Sequence, residues 1–348
     1  MHMADVLLSP TVATTMYAAS TAAAGISIYR LKKENNPEKI PVMAVSAALV
    51  FAGQMINYTI PGTGSSGHIC GGMLLSALLG PEAGFLSMIT VLMIQCLFFA
   101  DGGLMALGAN IWNMAFYGCF LGYYLIWRTI MKGKVFGNLD TGKRIILAAV
   151  LGSIISLQCG AFSVVLETTM SGVTNLPFGV FAGLMLPIHL AIGLVEGLIT
   201  AAILTFVYQA RPELLMDVNN SEKTSGLSLK KTLGILTVIT LLVGGGLSLY
   251  ASSNPDGLEW ALFGNAEEGY AENMGFDEED YGVASAMADS AAQIQESTSF
   301  LPDYAFKNSD SAAGTTVSGI VGSAIVACFA ILLSVVLKLF RNKSAQSM

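Results

Sequence analysis

The most informative shortage in this chain of 348 residues is charge, because only 12% of the residues are Asp, Glu, Lys or Arg. An ordinary soluble domain carries about 25%. Hydrophobic residues make up 53% of the chain and recur in long stretches without charges. An α-helix needs roughly 17–25 such residues to cross a hydrocarbon core about 30 Å thick. The composition therefore argues against a soluble protein and predicts that a lipid bilayer surrounds most of the chain.

Cysteine, histidine and common catalytic motifs are also scarce. The five cysteines form no C-x-x-C pair, so no disulfide framework is indicated, and we expect them to be small buried hydrophobic side chains. Neither G-x-x-x-x-G-K-[ST] nor H-E-x-x-H occurs, which argues against P-loop ATP hydrolysis and against an intramembrane metalloenzyme. No basic stretch precedes the first apolar run, so we expect no cleaved signal peptide. The chain is not expected to be an enzyme.

The apolar runs predict an all-α, polytopic membrane helix bundle of about nine transmembrane helices. We expect them at 9–29, 41–60, 69–80, 84–100, 106–130, 144–168, 178–208, 229–251 and 315–340, the segment 69–80 being short and bounded by glycine. A polar linker, 215–228, separates a seven-helix unit, 1–214, from a two-helix unit, 229–348.

Basic residues cluster in alternate loops, which the positive-inside rule places in the cytoplasm. The clusters are Arg30, Lys32, Lys33 and Lys39; Arg128, Lys132, Lys134, Lys143 and Arg144; Arg211, Lys223, Lys230 and Lys231; and Lys338, Arg341 and Lys343. All of them fall on one side only if 69–80 counts as a crossing. The expected orientation has the N-terminus outside and the C-terminus in the cytoplasm.

The longest external segment, 252–314, holds thirteen acidic residues and a single base, Lys307. Its content of Ser, Ala, Gly, Asp and Glu is more typical of a solvated loop than of a packed domain. Concentration of cations near the outer face is an alternative function of this charge. The plainer interpretation, a soluble extracytoplasmic loop, is favoured.

Two of the three histidines, His2 and His68, are expected at the outer face. The amine of Met1, the peptide nitrogen of His2 and the imidazole of His2 can close two chelate rings around one ion, and we expect the methionine to be retained because residue 2 is bulky. His68 lies in a glycine-rich loop that allows close backbone approach and can supply a fourth nitrogen. A square plane of four nitrogens favours Ni(II) or Cu(II) over Zn(II). The alternative is a flexible terminal His2 and an ordinary loop residue at His68.

Three segments together resemble the NikM/CbiM family over roughly residues 1–210. They are Met-His-Met-Ala-Asp at 1–5, Ser-Gly-His-Ile-Cys-Gly-Gly at 66–72, and Asp-Gly-Gly-Leu-Met-Ala-Leu-Gly-Ala-Asn-Ile-Trp-Asn-Met at 101–114. Members of this family are substrate-specific components of energy-coupling-factor (ECF) transporters for nickel and cobalt. The resemblance implies metal ligands at Met1, His2 and His68. It also implies a transmembrane coupling (T) subunit and two cytoplasmic ATPase subunits as partners, in a prokaryotic inner membrane.

The wording of the third segment resembles the nickel branch more than the cobalt branch, so Ni(II) is the expected substrate, with Co(II) as the alternative. Further along, Pro-Asp-Gly-Leu-Glu at 255–259 resembles the start of the external loop of the small two-helix NikN/CbiN partner. That partner is therefore expected to be fused here into one chain. One residue departs from the family pattern, since Val6 stands where a glycine is usual.

Several polar residues are candidates for supporting roles. Metal-bound imidazoles usually donate a hydrogen bond from their second nitrogen to a carboxylate or carbonyl group. Asp5, Asp101 and Asn110 are candidates for accepting such a bond. The alternative is that they cap helices or form interhelical hydrogen bonds. His189 and Glu196 lie on one helical face as a possible intramembrane polar pair, with a structural hydrogen-bond network slightly favoured over a functional role. A secondary metal-cation exchanger is the remaining rival function, although it would be expected to place several acids near the midplane.

Overall fold

The computed structural model describes residues 1–32, 39–174, 176–218, 226–265, 285–309 and 311–346. Some of the predicted features lie outside the described residues. They are Lys33 and Lys223 of the basic clusters, residues 219–225 of the expected linker, and residues 266–284 and 310 of the acidic segment.

The described chain is a helical bundle, and the predicted all-α membrane class is confirmed. The helices are α1 Pro10–Leu31, α2 Lys39–Gln54, α3 Gly72–Leu79, α4 Pro81–Phe99, α5 Leu107–Asn110, α6 Arg128–Lys132, α7 Thr141–Ser171, α8 Phe178–Ala210, α9 Leu229–Gly245, α10 Gly257–Phe263, α11 Ala286–Thr298 and α12 Ala313–Gln346. A stretch with π-helical hydrogen bonding, Ile111–Trp127, joins α5 to α6.

Five described helical stretches are long and apolar enough to cross a membrane. They are Pro81–Phe99, Thr141–Ser171, Phe178–Ala210, Leu229–Tyr250 and Ala313–Val336. The count of nine crossings and the orientation remain predictions.

The helix predicted at 41–60 ends earlier in the structure than the prediction has it. Helix α2 stops at Gln54, and Tyr58–Ile60 (β1) pairs antiparallel with Ser65–Gly67 (β2). The aromatic and β-branched residues of β1 favour a strand. The turn that follows contains Gly62 at a positive φ of 76°, a conformation that glycine adopts without strain. This hairpin delivers the chain to His68.

The short helix α3 and the irregular backbone before it connect the two ends of the bundle. His68 lies beside Met1, whose amine is 3.5 Å from its imidazole. Twelve residues later, a Cβ placed on Gly80 would lie 3.9 Å from Nζ of Lys39, at the start of α2. Eight helical residues span only about 12 Å. The segment therefore passes from one end to the other because the irregular backbone at 69–71 supplies part of the distance.

Ion pairs of the basic residues lie at the end of the bundle away from Met1. Arg30, at the end of α1, contacts Glu82 at 2.8 Å, and Lys132, at the end of α6, contacts Asp217 at 2.5 Å. The 22 residues of α1 separate Arg30 from the N-terminal segment by about 33 Å. We name this the basic end, defined by Arg30, Lys39 and Lys132.

The two-helix unit, α9 and α12, packs against α2 and α4 through small residues. A Cβ on Gly244 of α9 would lie 3.1 Å from the carbonyl oxygen of Gly319 in α12 and 3.2 Å from Cβ of Ala52 in α2. Ser323 of α12 contacts the carbonyl oxygen of Ala48 at 3.5 Å. Such small interfaces allow helices to approach closely within a membrane.

The described parts of the acidic segment are packed, so the expectation of a solvated loop is wrong for them. Helix α10 buries Leu258 and Leu262, which are 1% and 0% exposed. The ring of Tyr304 stacks on that of Phe99 with centroids 5.0 Å apart. In the described parts, a few apolar residues among many acids are enough for packing, because they are concentrated in α10 and around Tyr304. The expected burial of the cysteines is likewise only partly right, since Cys328 is exposed.

Candidate metal centre

The N-terminal segment folds into the bundle instead of extending into solvent. Met1 and Met3 are 4% and 0% exposed. The backbone of Met3 exchanges two hydrogen bonds with the side chain of Asn110, at 2.8 and 3.2 Å, and its carbonyl oxygen also accepts from Gly103 N–H. Of the two roles that the sequence leaves open for Asn110, these contacts support the structural hydrogen-bond role. Asn110 holds the strand-like terminus in place because its amide matches a free backbone N–H and C=O.

Asp5 also has a structural contact, the second of the two roles that the sequence leaves open for it. Its Oδ1 accepts from the backbone N–H of Ala106 at 3.0 Å. A side chain at Gly103 would overlap this carboxylate, which explains why the motif at 101–103 needs a glycine at its third position. Val6, the departure from the family pattern, is 46% exposed and does not block the path of the terminus.

The Met1 amine lies between a carboxylate and an imidazole. It donates to Oδ2 of Asp256 at 2.9 Å and lies 3.5 Å from Nε2 of His68. The other ring nitrogen of His68, Nδ1, is 3.0 Å from the carbonyl oxygen of Ile69. Since a carbonyl oxygen only accepts, Nδ1 carries the proton in this pair. The lone pair of Nε2 is then free to bind a cation next to the amine.

The imidazole of His2 completes a cluster of nitrogen donors. It stacks on His68 with ring centroids 5.1 Å apart and planes inclined by 22°. Its Nδ1 lies 3.1 Å from Oδ1 of Asp101, and Oδ2 of Asp101 accepts a short hydrogen bond from Tyr304. Asp101 thus contacts an imidazole, but through Nδ1 and not through the second nitrogen, so its predicted supporting role stays a prediction. That is the nitrogen that the six-membered chelate ring requires.

A cavity of about 560 Å³ opens onto this cluster. Its polar lining includes His2, Gln54, His68, Asp101, Asp256 and Tyr304. The cavity, whose lining includes the carboxylates of Asp101 and Asp256, therefore gives hydrated cations room to reach the nitrogen donors.

Burial and charge set the protonation of the cluster. Burial, together with the positive charge of the amine, lowers the pKa of His2 and of His68 to about 3. Both imidazoles are therefore neutral near neutral pH. Burial alone would lower the pKa of the Met1 amine and raise that of Asp256, but their mutual attraction prevails. The pKa of the amine is raised and that of Asp256 lies well below its usual range.

His189 and Glu196 are both buried, but they do not pair with each other. Glu196 accepts from the backbone N–H groups of Cys70 and Gly71, at 2.7 and 3.1 Å. His189 makes its hydrogen bond through Nδ1 to the carbonyl oxygen of Met185 at 2.7 Å. These backbone contacts agree with the structural hydrogen-bond role that the sequence slightly favours over a functional pair. Glu196 fixes the loop that carries His68, since that loop has no regular secondary structure to satisfy its backbone donors.

Replacing Glu196 with Ala is expected to destabilise the protein by about 2–4 kcal/mol, because two buried backbone donors lose their acceptor. Thermal unfolding of the purified chain in detergent measures this. The matched control is Glu296→Ala, which removes an exposed carboxylate on α11 and should leave the midpoint almost unchanged. Equal midpoints for both variants would contradict the assigned role of Glu196.

No group of three or more His, Cys, Asp or Glu side chains is placed to hold a metal ion within the described part of the chain. Two further residues reach the cluster without having been identified from the sequence, namely Asp256 and Tyr304. The Pro-Asp-Gly-Leu-Glu motif was a signal for Asp256, but nothing in the sequence indicated which group its carboxylate meets.

Two family models match the chain. The first, described as the cobalt uptake substrate-specific transmembrane region, CbiM, matches residues 2–214. The second, the PDGLE domain, matches residues 230–339. The two matches cover the N-terminal helices with the nitrogen cluster and the two-helix unit with Asp256, respectively.

Known proteins resemble the chain over most of its length. A protein named as a candidate fused nickel transport protein, NikMN, of Archaeoglobus fulgidus is 34% identical over 330 residues, 94% of this chain and 95% of that protein. The cobalt transport protein CbiM of Sorangium cellulosum is 30% identical, covering 62% of this chain and 94% of its own. A solved structure described as a truncated transition metal transporter aligns with a TM-score of 0.52 and 30% identity, covering 60% of this chain and 98% of that one.

Proposed function

The chain belongs to the CbiM family of cobalt uptake substrate-specific transmembrane regions, fused to a PDGLE domain, and we propose that it captures Ni(II) at the outer face of the membrane for uptake. It is a multi-pass membrane component of nickel or cobalt transport and not an enzyme, in line with relatives named for metal transport. The ligands in this proposal are the amine of Met1, the peptide and imidazole nitrogens of His2, and Nε2 of His68.

The proposal is carried by one observation, the burial of the terminal amine 3.5 Å from Nε2 of His68. Metal–nitrogen bonds of about 2 Å put neighbouring donors in a square plane about 3 Å apart. The two nitrogens therefore need to move together by only a few tenths of an ångström. The His2 ring has to turn about its Cβ–Cγ bond, because Nδ1 must leave Asp101 to close the chelate ring.

The proposed square plane of four nitrogen donors supports Ni(II) over Zn(II), and the preference for nickel over cobalt rests on the segment at 101–114, which resembles the nickel branch. Ni(II) favours tetragonal nitrogen sites, whereas Zn(II) favours a tetrahedron. The fused relative of Archaeoglobus fulgidus is named for nickel and the Sorangium cellulosum relative for cobalt. Co(II) uptake by the same chemistry is the second candidate function. Titration of the purified chain with each ion decides between them, and tighter binding of Co(II) than of Ni(II) would overturn the nickel assignment.

Transport needs partners, because the sequence has no P-loop for ATP hydrolysis. In this proposal a transmembrane coupling subunit and two cytoplasmic ATPase subunits drive the release of the ion to the inside, as in ECF transporters. The N-terminus and the nitrogen cluster face outward in a prokaryotic inner membrane, and the basic end faces the cytoplasm. Uptake without the ATPase subunits would instead support the rival, a secondary metal-cation exchanger.

Ni(II) affinity is expected to rise with pH. The amine binds metal only after losing its proton, and the raised pKa of the amine keeps it protonated near neutral pH. The imidazoles, with pKa values of about 3, are already neutral there. Release of one proton from the amine and one from the amide gives a gain of up to about two powers of ten per pH unit. Isotherms at about pH 6.5, 7.5 and 8.5 measure the slope, and a constant affinity would contradict a site that uses the amine.

A further inference from the structure

Asp256 belongs to the fused PDGLE domain, yet its carboxylate lies inside the nitrogen cluster of the other unit. Its two oxygens have separate partners. Oδ1 accepts from the backbone N–H groups of Leu258 and Glu259, at 2.7 and 3.0 Å, and so caps the N-terminus of α10. Oδ2 accepts from the Met1 amine at 2.9 Å. The cap fixes the direction of the carboxylate before it meets the amine.

Helix α10 is itself fixed against α8. A Cβ on Gly257 would lie 2.8 Å from Cγ2 of Ile188 and 3.0 Å from Cε1 of His189, so only glycine allows this approach. Leu258 and Leu262 are buried beside it. The position of Asp256 is therefore determined by packing with the first unit and does not depend on the amine.

The same turn is bonded to the strand that leads to His68. The N–H of Ser66 donates to the carbonyl oxygen of Pro255 at 2.8 Å, and its hydroxyl donates to that of Asn254, also at 2.8 Å. Ser66 precedes His68 by two residues. One strand, β2, thus sets both Asp256 and His68, and the Met1 amine lies between them.

The rest of the N-terminal segment is held by other groups. Asn110 and Gly103 hold Met3, and Ala106 holds Asp5. None of these contacts reaches the amine itself. Within the described residues, the charged partner of the amine is Asp256.

We propose that Asp256 is a positioning residue of the metal site, through which the fused PDGLE domain holds the Met1 amine against His68 and so prepares it for the ion. The effect on metal binding rests on the proposed function. The contact between Asp256 and the amine does not rest on it and can be tested without metal.

The test variant is Asp256→Asn, because asparagine caps a helix as well as aspartate and removes only the charge. The matched control is Asp289→Asn, the same change at an exposed aspartate of α11. Asp256→Ser, which also keeps a capping side chain, is the second variant should the first be poorly folded. Each full-length chain is purified in detergent, and thermal unfolding verifies its fold.

The first readout is acylation of the Met1 amine in the metal-free protein, followed by mass spectrometry of the N-terminal peptide. Loss of a charge-assisted hydrogen bond is expected to raise the rate roughly tenfold in Asp256→Asn and to leave it unchanged in Asp289→Asn. The second readout is Ni(II) affinity, compared at a pH high enough that the amine is largely deprotonated in both chains, because removing Asp256 also lowers the pKa of the amine. There the affinity is expected to fall roughly ten- to hundredfold, as for other groups that orient metal ligands.

The outcomes separate the two claims. An unchanged acylation rate in both Asp256 variants overturns the inference, whatever the chain binds. Faster acylation together with unchanged Ni(II) affinity upholds the contact and overturns the positioning role. A wild-type chain that binds neither Ni(II) nor Co(II), but whose acylation rate still responds to Asp256, removes the proposed function and leaves the contact standing.

Discussion

Adding one residue before Met1 is expected to weaken Ni(II) binding several hundredfold. The extension converts the Met1 amine into a peptide nitrogen, which binds metal only after losing a far less acidic proton. The new amine would have to take the place of His68 in the plane to reach the ion, and the buried contact of the Met1 amine with Asp256 is lost. If four donors share a metal-binding free energy of about 10–16 kcal/mol, one donor contributes roughly 3–4 kcal/mol, or several hundredfold in affinity.

Titration calorimetry with Ni(II) measures this loss on the purified chain. The matched control carries a removable leader that a protease cleaves to leave Met1 as the first residue, and cleavage should restore binding in full. Wild-type affinity in the extended chain would show that the terminal amine is not a ligand.

Replacing His68 with Ala is expected to weaken Ni(II) binding by a similar factor. The variant removes the nitrogen nearest the amine and leaves three donors from one short segment. The loop itself should persist, because Glu196 still accepts from Cys70 and Gly71. The loss therefore reports on coordination and not on folding.

The control for this variant is Glu296→Ala, which removes an exposed side chain of α11 and lies outside the nitrogen cluster. Its Ni(II) affinity is expected to stay close to that of the wild type. Unchanged metal retention in His68→Ala would remove the fourth donor from the proposal.

The helices of this fold could be predicted from the sequence because uncharged apolar runs of membrane length have few alternatives. The predicted helix 41–60 was too long because Tyr58, Thr59 and Ile60 are uncharged and continue the apolar run of α2. Hydropathy cannot distinguish a short buried strand from the end of a helix. At this point the chain turns back at Gly62 and forms the hairpin, which leads it to His68 in the nitrogen cluster.

The packed ends of the acidic segment were missed for a different reason. Averaged over 252–314, acidic residues dominate the composition, and the average conceals the apolar residues of α10 and the aromatic ring of Tyr304. Those residues pack because they meet complementary apolar side chains elsewhere in the bundle, such as Phe99 at the end of α4. The average composition of a segment does not show which side chains elsewhere in the protein its residues contact.

The candidate site was partly predictable. Chelate geometry and the motifs singled out Met1, His2 and His68, and the structure places them together, although ligation by them remains a prediction. Asp256 could not be assigned, since it is 255 residues away from its partner in sequence. The structural role of Asn110 could not be chosen over contact with an imidazole, because the motif shows which polar groups are present and not which backbone group lies opposite them.

The measurement that tests the central claim most directly is a structure of the Ni(II)-loaded chain with anomalous scattering at the nickel edge. The account predicts a single peak about 2 Å from both the Met1 nitrogen and Nε2 of His68, with His2 Nδ1 turned away from Asp101 to meet it. A peak elsewhere, or a first residue that lies in solvent while the ion is bound, would contradict it.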